Sequence, residues 1–246
     1  MTLQKQIQFF ETNHYLFIPN ALTPQEVAEV STAIDRDRAL YPGLWSTGNR
    51  MQSAQCLLSM SEADFLIRHP SFFEVARHAF DGDIRFEEFS VMIRAGNMEK
   101  GAAEGWHRDA MPNPQHRLGI TALSAIYYLT DVDETTPRYC LIPASQHIEE
   151  PTKLGKSETH EGELDMMGPA GSVILVNAGI WHCGKWGHSP RERRTAHIYY
   201  GQSTTPSIAN HTLYPRRLWD VEDAEQRRFY SKHNALTQAV ARDYCR

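Results

Sequence analysis

His107 and Asp109 stand two residues apart in Gly105-Trp106-His107-Arg108-Asp109. On an extended backbone alternate side chains share a face, so an imidazole nitrogen and a carboxylate oxygen placed this way can meet one metal ion. An H-x-D tripeptide is common without a metal, and the pair needs a third ligand before it carries an argument. The apolar run Gly171-Ser172-Val173-Ile174-Leu175-Val176-Asn177 reads as a buried strand, and Trp181-His182 follows it before the next strand could begin, which makes His182 the candidate. Two histidines and one carboxylate on one side of a metal leave the opposite side open to O2 and substrate, the donor set of mononuclear non-haem Fe(II) oxygenases.

Downstream of His182, Arg193 lies at the entrance to a strand pattern ending near Tyr200. A guanidinium there can clamp the distal carboxylate of a bound keto-acid through a bidentate pair. Its neighbour Arg194 would point to the opposite side of the same strand, so one of the two enters the interior, and Arg193 is the expected one. Arg94, at the end of the run from Phe86 to Ile93, can reach either the keto-acid or the substrate, with a solvent-facing arginine as the ordinary alternative. Arg191, Arg216 and Arg217 offer charge-assisted hydrogen bonds to an anionic substrate or form a solvated basic stretch. Trp45, Trp106, Trp181 and Trp186 either line an apolar pocket or pack in the core. The other histidines, His197 among them, read as surface or hydrogen-bonded groups, because a fourth protein ligand would block the open side of the metal.

These residues need a scaffold that holds them within a few ångströms. The runs Phe86 to Ile93, Ile120 to Leu129, Tyr139 to Ile142, Ser172 to Val176 and Thr195 to Tyr200 are short, β-rich and bounded by turn formers. Many short strands with little helix between them indicate a sandwich or barrel. Ahead of them Tyr15-Leu16-Phe17-Ile18 reads as a strand or extended segment after a short first helix. Thr23-Pro24-Gln25-Glu26 carries a capping box with proline at the first helical position and predicts a helix from Pro24 to Asp35. Tyr41 to Met60 has no sustained period and reads as a loop that could serve as a lid. After Trp219, Leu236, Ala239 and Val240 at helical spacing predict a C-terminal helix packed on the barrel.

The order and separations of these pieces resemble the phytanoyl-CoA dioxygenase family of Fe(II)/2-oxoglutarate-dependent oxygenases, over nearly the whole chain. The resemblance is carried by Phe10-Glu11-Thr12-Asn13-His14-Tyr15-Leu16 with the capped helix after it, Trp106-His107-Arg108-Asp109, Leu129-Thr130-Asp131-Val132-Asp133 leading to Ile142-Pro143-Ala144-Ser145-Gln146-His147, and His182 with Arg193. It implies a mainly β fold, a double-stranded β-helix (jelly roll, cupin-like) with flanking N- and C-terminal helices. It also implies Fe(II) on His107, Asp109 and His182, 2-oxoglutarate held by Arg193, and O2 as oxidant. Related halogenases replace the ligand carboxylate with a small residue, whereas this chain keeps Asp109, so hydroxylation with release of succinate and CO2 is the expected outcome. Two rival readings of the same residues are a non-catalytic jelly-roll ligand-binding module and a Zn(II) hydrolase that uses the triad and a bound water.

The chain as a whole fits this expectation. Its 246 residues suffice for one domain with a well-buried core, expected over 1–246. A formal charge of −5 gives no basic excess for gripping a phosphate backbone, so the expected partner is a small molecule and not nucleic acid. The N-terminus has no apolar signal-like run, and no stretch approaches the roughly 20 apolar residues that span a bilayer. Cys56, Cys140, Cys183 and Cys245 form no C-x-x-C pair, so neither a zinc knuckle nor a disulfide framework is expected, and a reducing cytoplasm is the expected location.

Overall fold

The computed structural model describes residues 1–97, 105–148, 160–209, 211–230 and 235–244. Two antiparallel sheets face each other. The larger takes its strands in the order β1 (Tyr15–Ile18), β7 (Val173–Asn177), β4 (Leu123–Tyr128), β9 (Arg193–Gln202), β3 (Ile84–Arg94) and β2 (Arg50–Ser53). The smaller consists of β6 (Leu164–Met166), β5 (Arg138–Leu141) and β8 (His182–Lys185). Helices cover the outer side of the larger sheet, and the fold is a jelly roll with flanking N- and C-terminal helices, as expected.

Alternation along the strands sorts the side chains. Phe89, Val91 and Ile93 of β3, Ala125 and Tyr127 of β4, and Ala196, Ile198 and Tyr200 of β9 turn outward into the large core beneath the helices. A bulge between Phe86 and Glu88 inserts one residue into β3, which keeps Phe86 on the same face as Phe89 although three positions separate them. Ile126, Tyr128, Ile174 and Val176 turn the other way and meet Leu141 and Met166 of the small sheet in a second core. This inner core fills one end of the space between the sheets; the other end is left for the site.

Four helices pack near the N-terminal half: α1 (Leu3–Asn13), α2 (Pro24–Leu40), α3 (Asp64–Ile67) and α4 (Phe73–Ala79). The capping box on α2 is formed as expected, with the Glu26 N–H donating to Thr23 Oγ1 at 3.2 Å and the Thr23 N–H donating to Glu26 Oε2 at 2.7 Å. The helix runs past Asp35 to Leu40 because no breaker intervenes before Pro42. Asp37 on its added turn is buried and accepts hydrogen bonds from Trp45 Nε1 (2.8 Å) and from Ser59 Oγ.

Those two bonds tie down the stretch expected as a free loop. Tyr41 to Met60 is not a structureless lid: it contains β2, which pairs with β3 at the sheet edge. The backbone hydrogen bonds of β2 outweigh the weak strand pattern of Arg50-Met51-Gln52-Ser53. The chain closes with α5 (Arg216–Trp219), α6 (Ala224–Tyr230) and α7 (Ala235–Tyr244). In α7 the buried position is Thr237, with Ala239 and Val240 half-buried, whereas Leu236, expected on the packed face, is exposed. Among the described residues, no helix is long and apolar enough to cross a membrane.

Candidate metal centre and co-substrate pocket

The segment around His107 is not the continuous strand its pattern suggested. It is irregular, and a single bridge joins His107 to His182, the first residue of β8. Each backbone N–H donates to the other residue's carbonyl, at 2.9 and 3.0 Å, so the two histidines sit directly opposite one another. Their rings approach to 4.4 Å between centroids. Two residues on, the Asp109 N–H donates to Ala178 O at 3.0 Å, in the turn that leads to β8. Main-chain bonds therefore place all three side chains before any metal arrives.

The unused nitrogen of each ring is spoken for. His107 Nδ1 lies 2.8 Å from Gly105 O and His182 Nδ1 lies 3.0 Å from Ile180 O, in both cases the carbonyl two residues upstream. A carbonyl only accepts, so each Nδ1 carries a proton, which leaves Nε2 as the ring nitrogen turned toward Asp109. His107 Nε2 is 3.5 Å from Asp109 Oδ1, and His182 Nε2 is 3.4 Å from Asp109 Oδ2. One ligand atom from each residue can be chosen so that all lie within 4.8 Å of one another. Exposure falls from 41% for the His107 side chain through 29% for Asp109 to 4% for His182, so the cluster opens toward His107.

Burial alone would raise the pKa of Asp109, but hydrogen bonds from His107, His182 and Tyr199 and the charge near His182 hold it well below the usual carboxylate range. Tyr139 stacks on the His182 ring at 5.2 Å, fixing it from the side.

A second tier of contacts binds the segments of His107 and His182 together. Arg108, between His107 and Asp109, lies over the Trp181 ring at 4.4 Å and donates to Ser145 O at 3.0 Å and to Ile148 O. The Trp181 N–H donates to Ser145 Oγ at 2.8 Å. Trp181 directly precedes His182, so one clamp holds both sides of the centre. Next to it, His14 is buried between Gln146 and Asn177, with ring nitrogens 2.7 and 3.1 Å from their amide nitrogens. The carbonyl oxygen of Gln146 is buried with no partner in this placement, and turning the amide over lets it accept from His14 Nε2. The residues that carried the family resemblance at Phe10 to Leu16 and Ile142 to His147 thus support the turn that leads to His182.

The three side chains lie on the wall of an open cavity. Arg193 and Arg94 both line it and are 7% and 8% exposed. Arg193 lies over the Tyr128 ring at 5.7 Å. Arg194 points outward, where it pairs with Asp35 at 2.8 Å and ties β9 to α2. His197 and Tyr199 share the inner face of β9 with Arg193 and also line the cavity. His197 stands 2.9 Å from Thr195 Oγ1.

Sequence reasoning missed Arg50, Tyr139 and Tyr199 as lining residues, and it set His197 aside. For the two on β9 the signal was present, because positions 193, 197 and 199 share parity on one strand. The four tryptophans are not among the lining residues: Trp45 is core, and Trp181 stacks with Arg108. Arg191, Arg216 and Arg217 do not line the cavity either, and Arg217 instead pairs with Asp64 at 2.7 Å. A second group, Cys140, Glu163 and Asp165, gathers on the small sheet, but the Lys185 ammonium pairs with both acids and takes the place a cation would use.

The family model for phytanoyl-CoA dioxygenase matches residues 10–195. The chain belongs to this family. With the family, it is a 2-oxoglutarate-dependent non-haem iron dioxygenase whose cofactors are Fe(II), 2-oxoglutarate and O2. A curated relative, ectoine dioxygenase of Bordetella bronchiseptica, is 23% identical and is aligned over 86% of this chain and 79% of that protein. The fold is shared with HygX from Streptomyces hygroscopicus, solved with nickel, 2-oxoglutarate and hygromycin B (TM-score 0.68, 15% identity, 84% of this chain and 90% of that one). It is shared too with the epimerase SnoN in complex with Fe3+, alpha ketoglutarate and nogalamycin RO (TM-score 0.64, 21% identity, 82% of this chain and 84% of that one). The histidine–aspartate–histidine donor set suits the family's metal, since hard oxygen and imidazole nitrogen ligands bind Fe(II) without any thiolate.

Proposed function

We propose that His107 Nε2, a carboxylate oxygen of Asp109 and His182 Nε2 hold Fe(II), that Arg193 binds the distal carboxylate of 2-oxoglutarate, and that the enzyme hydroxylates a C–H bond of a small organic molecule. The observation that carries this reading is the pair of Nδ1–carbonyl bonds, which turn both Nε2 atoms toward the Asp109 carboxylate, with one donor atom from each residue within 4.8 Å of the others. Three protein ligands clustered on one side leave the cavity side for the co-substrate, O2 and the target bond. Bound there, Fe(II) supplies the oxidising chemistry, with 2-oxoglutarate converted to succinate and CO2.

The protein's own part is placement. Arg193, held at Tyr128, offers a planar fork to a carboxylate. Tyr199 donates to Asp109 and favours its ionised form. The inner core formed by Ile126, Ile174 and Leu141 closes the far end of the space between the sheets against water. Retention of Asp109 supports hydroxylation over halogen transfer. The relatives named above supply small organic molecules as the substrate class, and this chain's substrate is proposed to be of that class.

An anaerobic titration of the purified protein with Fe(II) and 2-oxoglutarate tests the assignment. The expected result is a visible charge-transfer band that is lost in His182→Ala and needs far more 2-oxoglutarate in Arg193→Ala. Absence of the band in the parent protein overturns the reading. Turnover of a found substrate should add one oxygen atom, read as a mass gain from 18O2.

A further inference from the structure

The small sheet carries two cysteines next to His182. Cys140 on β5 stands directly opposite Cys183 on β8, the residue that follows His182. Both thiols are free, and they hydrogen-bond to each other. Main-chain bonds fix the type of pair. His182 gives its N–H and its carbonyl to His107, so the next residue turns both groups to β5, and Cys140 and Cys183 form the hydrogen-bonded kind of antiparallel pair. Cα atoms in such a pair lie about 5.5 Å apart, and disulfides are commonest at Cα separations of about 5.5–6 Å. The backbone already stands at the spacing a disulfide needs.

The surroundings of the pair are polar, unlike the apolar packing that keeps a structural thiol inert. Leu141 and Met166 mark the face of the small sheet turned to the inner core, so alternation gathers Cys140, Cys183, Lys185 and Asp165 on the other face. There Lys185 pairs with Glu163 and, at 3.2 Å, with Asp165, which is opposite Cys140 in register. Cys56, by contrast, is sealed in the large core. Access also differs within the pair: Cys183 keeps 4% exposure and lines the cavity, whereas Cys140 is fully buried.

We propose that Cys140 and Cys183 are an oxidative modification site, a cross-strand disulfide closed by hydrogen peroxide and reopened by a dithiol. The accessible Cys183 sulfur attacks the O–O bond, giving a sulfenic acid and one water; the Cys140 sulfur then displaces the sulfenic oxygen as a second water. The thiols together give up two hydrogens and two electrons, and the peroxide takes them. Closure brings the sulfurs to about 2.05 Å and ties β8 to β5 one residue from His182, whose ring rests on Tyr139 of β5. With His182 as a metal ligand, this pull moves the imidazole out of line with His107 and Asp109 and weakens the hold on Fe(II). That consequence rests on the proposed metal assignment; the disulfide does not, and the test reads the two separately.

The full chain, freed of metal by a chelator so that peroxide meets no iron, is treated with hydrogen peroxide, blocked with iodoacetamide and digested without reductant. The expected products are a Cys140–Cys183 cross-linked peptide and an intact mass lower by two hydrogens, with both thiols restored by dithiothreitol. In Cys140→Ser the sulfenic acid stays on Cys183 and is captured by dimedone, and Cys183→Ser gives no adduct on Cys140; Cys140→Ala and Cys183→Ala repeat the comparison if a serine variant does not fold. Two thiols that stay reduced, or cross-links to Cys56 or Cys245 instead, overturn the proposal. Calorimetric titration with Fe(II), after removal of peroxide and reductant, should show the oxidised parent binding more weakly than the reduced one by about tenfold or more. The double variant Cys140→Ser/Cys183→Ser should bind equally before and after peroxide. A disulfide that forms and leaves the affinity unchanged overturns its link to the centre. Failure of the reduced parent to bind Fe(II) counts against the metal assignment, and the cross-link is still read by mass.

Discussion

Tyr199 donates its phenolic hydrogen bond to Asp109 Oδ2 at 2.6 Å, the same oxygen that lies 3.4 Å from His182 Nε2. The phenol itself stays protonated, since burial and the Asp109 charge both raise its pKa. Partners of this kind orient a ligand and commonly change metal affinity by about 10- to 100-fold when removed. Tyr199→Phe should therefore fold normally and bind Fe(II) more weakly by a factor in that range. Calorimetric titration with Fe(II) checks this, and an unchanged affinity would show that the two backbone-fixed histidines suffice.

Arg193 and Arg194 are adjacent in sequence and opposite in role, and paired substitutions should separate them. Arg193→Gln should raise the half-saturating 2-oxoglutarate concentration by about 10- to 100-fold, the loss of a charge-assisted bond, with little change in melting temperature. Arg194→Gln should leave that concentration alone and cost at most about 1 kcal/mol in urea unfolding, because its partner Asp35 is half exposed. Equal effects of the two variants on 2-oxoglutarate would contradict the strand parity.

Arg108→Leu removes the clamp between the H-x-D unit and Trp181. Metal affinity should fall by about 10- to 100-fold, although Arg108 offers no ligand atom. Ser145→Ala, which removes the acceptor for the Trp181 N–H, should move affinity the same way. Trp181 fluorescence should report the loosened contact in both. An intact Fe(II) affinity in both variants would make the clamp a matter of stability alone.

His14 sets a pH limit on the fold. Its pKa is pushed down to about 4, first by burial and then by the charges of His147 and His116. A depressed histidine is neutral in the folded state, so the unfolded chain takes up a proton below its ordinary value of about 6.5 that the folded chain refuses until about pH 4. Stability from this group is complete above that window and is lost as pH falls through it, with a slope of up to about 1.4 kcal/mol per pH unit. Urea unfolding at pH 7.5, 6 and 5 should show a declining midpoint, and His14→Gln, which cannot titrate, should flatten part of that decline. A variant with the parent's full pH dependence would assign the effect elsewhere.

The amino-acid pattern by itself determined most of the elements and the candidate donor set. Short β-rich runs between turn formers, a capping box at Thr23 and the histidine–aspartate spacing are local features, and local sterics and hydrogen bonding decide them before the chain is compact. What was not legible locally was settled by tertiary packing. Arg50 became a lining residue only because β2 adds to the edge of β3. His107 and His182 became opposite neighbours through one backbone bridge between segments far apart in sequence. Leu236 was left exposed because Thr237 turned to hydrogen-bond with the chain at Tyr214. Long-range strand pairing chooses which side chains share a cavity, and it depends on the registers of partners that no single segment encodes. The sequence alone therefore determined which groups could bind a metal and a keto-acid. The tertiary structure decided which side chains, Arg50 and Cys183 among them, stand beside those groups.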